Sequence, residues 1–143
     1  MGRALYLNSE LAKALAALTK SLELDPLNVE GNFLVAKILM EQNQSNEAVS
    51  FLRKALELDP SFLKAHAQLG KAYAQTNQWE AALRHLELAS TTDTDGSHYY
   101  QLFRAYTKLN QNAKAQDALA KSEELKQAKL EHDRMRMAPS AAP

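Results

Sequence analysis

The chain has no cysteine, which excludes disulfide staples, thiolate metal ligands and a thiol nucleophile. Glycine and proline are scarce, four of each in 143 residues, so neither a collagen-like chain nor a Pro/Gly-rich disordered one fits. No sign of charge is in excess: 17 basic and 17 acidic residues cancel. That balance argues against a dedicated nucleic-acid or membrane-surface binder, while leaving the distribution of charge open. No apolar run approaches the roughly 20 residues of a membrane span. The opening MGRALYLNSE lacks a long apolar core, and Tyr6 stands where a myristoylation motif needs Ser or Thr. Compartment and redox setting stay open.

What is present is ordinary for a soluble protein, 45% apolar and 24% charged, and long enough for one core or a short array. The informative stretch runs from Ser61 to Thr94. In its first half Phe62, Leu69 and Tyr73 share a helical face that Ala65, Gly70 and Ala72 keep slim. In its second half Trp79, Ala82, Leu83, Leu86 and Ala89 recur at three- and four-residue steps. Thr76-Asn77-Gln78 between them allows only a tight reversal, so the two helices fold back antiparallel. Neither can hide its stripe alone.

The missing neighbour is written in the same chain. LELDP ends at Pro26 and again at Pro60, 34 residues later. Leu69-Gly70-Lys71-Ala72-Tyr73 recurs as Val35-Ala36-Lys37-Ile38-Leu39 and as Leu102-Phe103-Arg104-Ala105-Tyr106. Ala82 recurs as Ala14, Ala48 and Ala115, and Leu86 as Leu18, Leu52 and Leu119. This period and pattern resemble the tetratricopeptide repeat over about residues 2 to 127. The resemblance implies an all-α, right-handed superhelical solenoid of antiparallel helix pairs, with about three and a half repeats and a C-terminal capping extension. The expected divisions are a truncated first repeat at 2–26, repeats at 27–60, 61–94 and 95–127, and an extension with a disordered tail at 128–143.

Gly2-Arg3-Ala4-Leu5 aligns with Gly70-Lys71-Ala72-Tyr73, so the chain opens on the end of a first helix, followed by its partner from about Glu10 to Leu24. That reads as a piece of a longer array. Asn43, Asn77 and Asn110 sit between paired helices, where asparagine is the cheapest residue after glycine at positive φ. Ser45 is the expected N-cap of its helix, and Asn32 in an aromatic slot predicts looser packing. Phe103 in the slot of Gly70 should push a helix outward or turn its own ring. The polar run Ser90–Ser97 lacks the closing proline and reads as a flexible connector. Nothing breaks a helix from Asn112 to Met137, about 39 Å at 1.5 Å per residue.

Candidate chemistry is thin. His66 takes an interhelical packing slot, and His85-Leu86-Glu87 matches the start of a zinc-deaminase motif without its cysteines. His98 and His132 have no partner at zinc-ligand spacing, and Asp93-Thr94-Asp95-Gly96 lacks the closing Glu of a calcium loop. The chain therefore reads as non-catalytic, with no cofactor, metal or small-molecule substrate expected.

The stronger pattern is a cation after the small residue of each first helix: Arg3, Lys37, Lys71 and Arg104. In proteins similar to this one that face lines the concave groove. Lys64 and Lys108 add to it, against Glu30 and Glu41. Phe33, Met40 and Tyr100 are candidate apolar anchors, and Gln68 and Gln101 candidate hydrogen-bonders to an extended backbone. The expected function is a protein–protein interaction scaffold that binds an acidic peptide or protein segment. The known chaperone-tail clamp of the family is not expected, because Lys37 and Gln68 replace its two asparagines. The alternative is a self-assembling structural module that pairs through exposed repeat ends, the truncated N-terminal repeat above all. RNA binding gains from the basic face but loses on neutral charge.

Overall fold

The structure, a computed structural model, describes the backbone of residues 2–137 and the side chains of residues 8–137. The described residues form helices α1 (Gly2–Leu24), α2 (Val29–Glu41), α3 (Ser45–Leu58), α4 (Leu63–Gln75), α5 (Trp79–Ser90), α6 (Ser97–Lys108) and α7 (Asn112–Met137), and no strand. Three reversals share one chemistry. Asn43, Asn77 and Asn110 have φ of 61°, 60° and 59°. The next residue's N–H, on Gln44, Gln78 and Gln111, donates at 2.8 Å to the carbonyl of Leu39, Tyr73 and Tyr106. This six-to-one bond is the Schellman ending, which satisfies a carbonyl the terminating helix would leave orphaned.

Each reversal makes an antiparallel pair: α2 with α3, α4 with α5, α6 with α7. Successive pairs pack through α3 on α4 and α5 on α6. The first helices also touch one another, α2 with α4 and α4 with α6, whereas no such contact joins α3 to α5 or α5 to α7. The stack therefore curves, with α2, α4 and α6 on the inside and α3 and α5 splayed on the outside.

Small residues set how closely the helices approach. Ala48, Ala82 and Ala115 are 0%, 0% and 3% exposed, and Leu52 and Leu86 0% and 1%. A Cβ on Gly70 would lie 2.7 Å from the Leu86 Cγ, so only glycine admits the leucine there. In the last pair Phe103 holds that slot. Its ring turns toward Tyr100, 5.9 Å between centroids, and Leu119, the counterpart of Leu86, stays half-buried.

Several local expectations are corrected. The reversal implied between Leu5 and Glu10 does not form, and α1 is one continuous helix. Ser9 occupies the slot of Asn43 and Asn77, and serine is poorer than asparagine at positive φ. Ser45 is not a cap: Gln44 precedes the helix without a side-chain bond, and the Ser45 hydroxyl donates to Gln75 Oε1 of α4, in the next pair, at 2.5 Å. Asn32, where looser packing was expected, does border a cavity of about 290 Å³ with Leu22 and Pro26, but it is buried at 3% and its amide donates to the Pro26 and Asn28 carbonyls, at 3.3 and 2.8 Å. The run before α6 is a built turn. The Asp93 carboxylate accepts the N–H groups of Asp95, Gly96 and Tyr99 at 3.2, 3.0 and 2.9 Å. Gly96, at φ 85°, lies against α7 and takes the Ser122 hydroxyl on its carbonyl at 2.7 Å.

The last helix, α7, spans the expected residues, with Ala115, Ala118 and Ser122 buried. The tail 138–143, expected to be disordered, lies outside the described residues.

Replacing Asn77 by alanine should cost about 1 kcal/mol, from the penalty on a non-glycine residue in the left-handed region, while Asn77→Gly stays within a few tenths of a kcal/mol. Gly96→Ala should be worse than either, because its Cβ would fall on the Ser122 carbonyl oxygen. Urea midpoints of the three variants test this order.

Candidate functional site

The helices of the inner layer carry most of the predicted cations. Lys37, Lys71 and Arg104 occupy matching positions on α2, α4 and α6, and all three are exposed, as are Lys64 and Lys108. Among the described residues the ion pairs are Lys13–Glu10 at 3.6 Å and His132–Asp133 at 3.9 Å. None of these inner-face cations has a carboxylate within 4.0 Å there. Arg104 is held by its neighbours: the guanidinium sits 5.7 Å from the Trp79 ring centroid and donates to Gln101 Oε1 at 3.3 Å. Tyr100 is 47% exposed, and Gln68 and Gln101 are half-buried. The Arg3 side chain lies outside the described residues.

Two predicted anchors do not line the groove. Phe33 and Met40 are each 6% exposed, sunk in the core that α2 shares with its neighbours. Phe33 meets Phe62 with centroids 5.0 Å apart. The stripe that looked available from spacing is the one α2 spends on α4, because Phe62 leads directly into that helix.

On the outer side, where α3 and α5 splay, a cleft of about 620 Å³ opens over α4. Arg53 and Glu57 flank it from α3, Glu80, Arg84 and His85 from α5, with Tyr73 at its floor. Behind it lies a histidine pair, His66 Nδ1 and His85 Nδ1 being 2.9 Å apart. The ring centroids are 5.2 Å apart and the planes differ by 26°, the geometry of two imidazoles bonded edge to edge. His66 Nε2 is 2.9 Å from the Pro60 carbonyl. A carbonyl can only accept, so His66 carries its proton on Nε2 and offers a lone pair at Nδ1. His85 must then donate from Nδ1, which leaves its Nε2 as an acceptor. Burial, then the neighbouring His66, Arg84 and Arg53, hold the His85 pKa down at about 4.

A second polar bridge ties α5 to α6. The Tyr106 hydroxyl donates to Glu87 Oε1 at 2.8 Å, and burial, reinforced by that carboxylate, pushes its pKa up to about 12. Among the described residues no group of three or more histidines or carboxylates is placed to hold a metal ion, and no helix is long and apolar enough to cross a membrane.

Sequence reasoning placed His66 in an interhelical slot, where it is indeed buried at 8%, but missed its partner. The signal was there to read. His85 takes the slot that Phe51 fills one repeat earlier, and Phe51 and Asn32 border one cavity in the α2–α3 pair. Two histidines in facing slots should therefore meet.

A curved stack of antiparallel helix pairs defines a helical-repeat solenoid. The tetratricopeptide repeat model matches residues 39–102. Solved structures of MamA resemble the chain: one is 28% identical with a TM-score of 0.78, covering 88% of this chain and 74% of its own. MamA from Desulfovibrio magneticus RS-1 is 22% identical, with a TM-score of 0.76 over 90% of this chain and 73% of its own. The YrrB structure, described as "a TPR protein with an unusual peptide-binding site", is 28% identical with a TM-score of 0.71. That alignment covers 78% of this chain and 58% of YrrB. A search of curated protein sequences gave no match. Residues 39–102 match the tetratricopeptide repeat family, and the chain has the helical-repeat solenoid fold of these structures; proteins of that family are generally non-catalytic modules for protein–protein interaction.

The histidine pair gives a pH dependence. Unfolded, His85 takes up a proton near 6.5; folded, it resists until about 4. Between these values the unfolded chain binds more protons, so stability is lost as the pH falls through that window. The urea midpoint should drop between pH 7 and 4, and less steeply in His85→Gln; equal slopes would contradict the assignment.

Proposed function

We propose that the chain is an interaction scaffold that holds an acidic peptide segment along its inner face. The observation that carries this reading is the cation row. Lys37, Lys71 and Arg104 repeat at one position of three stacked helices, stand in solvent, and have no carboxylate of the described residues within salt-bridge reach. A lysine on a solvated helix face is stabilised by an acidic neighbour three or four residues away. Here the nearby inner-face acids are Glu30 and Glu41, both on α2, while α4 and α6 carry none on the matching stripe. Like charges held along one concave side repel each other and raise the local potential, and a bound anion relieves both effects.

Exposed Tyr100 supplies an apolar contact beside the row, and Gln68 and Gln101 supply amides for an extended backbone. Arg104, packed on Trp79 and bonded to Gln101, is the most pre-ordered of the cations and loses least freedom on binding. The peptide-binding description of YrrB, a protein of similar fold and 28% identity, supports a peptide as the class of partner.

Fluorescence anisotropy with an acidic peptide library should yield ligands whose affinity weakens as salt is raised. For such a ligand, Lys71→Glu together with Arg104→Glu should reduce affinity by roughly a hundredfold or more, since two attractions become repulsions worth several kcal/mol in sum. An unchanged affinity in that double variant overturns the reading.

A further inference from the structure

A second surface shares only Tyr100 with the groove. Past Ser122 the outward side of α7 is covered by nothing in the described residues. It forms with the start of α6 an open trough of about 590 Å³. Leu119, Glu123, Lys126, Leu130 and Asp133 line it from α7, and Tyr100 from α6. These five α7 positions are spaced by four, three, four and three residues, the seam spacing at which one helix receives another. Leu130 is 51% exposed and Tyr100 47%, an apolar investment that a purely solvated extension does not need.

The order of charges along the seam selects the occupant. A parallel copy would set Glu123 on Glu123 and Lys126 on Lys126. An antiparallel copy shifted by one heptad would set Glu123 against Asp133. One antiparallel register avoids both repulsions: residue 119 faces 130 and residue 123 faces 126. It is self-complementary, as a two-fold interface must be. Leucine then meets leucine twice and glutamate meets lysine twice, with Leu130 of each copy lying between Leu119 and Tyr100 of the other.

We infer that the open side of α7 is an interface between two copies of this chain, packed antiparallel with Leu119 against the partner's Leu130 and Glu123 against the partner's Lys126. Rim charge pairs of this kind set register and orientation more than affinity. The leucines and Tyr100 supply the burial. The inference does not rest on the cation row, which shares with this surface only the neighbouring Tyr100.

The experiment is sedimentation equilibrium of the full chain at about 100 µM, a concentration that populates a micromolar interface. Wild type should run as a dimer. Glu123→Lys should weaken association at least tenfold by facing two lysines, and Lys126→Glu should do the same with two glutamates. The double variant carrying both substitutions should restore the dimer, and an equimolar mixture of the two single variants should form a heterodimer. All these positions are exposed, so circular dichroism should show unchanged helicity. Ala14→Glu, on the bare side of α1, should leave the mass unchanged. A monomeric wild type, or single reversals without effect, overturns the inference. So does a double variant that stays monomeric, or a dimer lost in Ala14→Glu and kept in Glu123→Lys.

Discussion

The structure depends on one close approach repeated along the chain: a large aliphatic side chain of one helix seated against a glycine or alanine of its antiparallel mate. Leu86 against Gly70 is its clearest instance, since any Cβ at residue 70 would occupy the space of the leucine's branch point. Burying a leucine completely contributes about 2–3 kcal/mol, and a pair of helices this short cannot fold on a few such contacts. The remaining apolar surface of each pair is therefore offered to the next. The stack extends because its unit is insufficient. Curvature follows as well, because the slim first helices approach one another on the inside while the second helices diverge on the outside.

That division of labour leaves the exposed faces of the inner helices free of packing duties. With apolar residues committed between helices, α2, α4 and α6 carry cations at one shared position without disturbing the core. A chain of zero net charge thereby carries exposed cations in register on one layer of helices, with acids elsewhere, as with Glu57 and Glu80 at the outer cleft. The same packing explains the outer cleft, since it is the wedge that opens where α3 and α5 part. Polar side chains bridge the pairs where apolar ones do not: His66 with His85 inside the α4–α5 pair, and Tyr106 with Glu87 between α5 and α6.

The fold was legible in the sequence because its determinants are local and repeated. The 34-residue step, the Ala82 and Leu86 series and the three turn asparagines each state the same geometry, and the structure agrees with them. The misses came where one copy departs from its siblings. Ser9 in an asparagine slot abolishes a turn, and where Thr94 takes the slot of the closing proline, Asp93, the counterpart of Asp25 and Asp59, builds the turn by accepting backbone N–H groups. Of the candidate site, the exposure of Lys37, Lys71 and Arg104 at one shared helix position was readable because the repeats stack in register. Phe33 and Met40 were not, because helical spacing says which residues share a stripe but not which neighbouring helix covers it; Phe62 decided that from the following repeat.

The most direct test of the stack is hydrogen exchange in Leu86→Ala. If no pair stands alone, amide protection should fall together in α4 and α5 and in the adjoining α3 and α6, since the packed neighbours lose the surface that holds them. Loss confined to α4 and α5, with α3 and α6 protected as in wild type, would contradict the account.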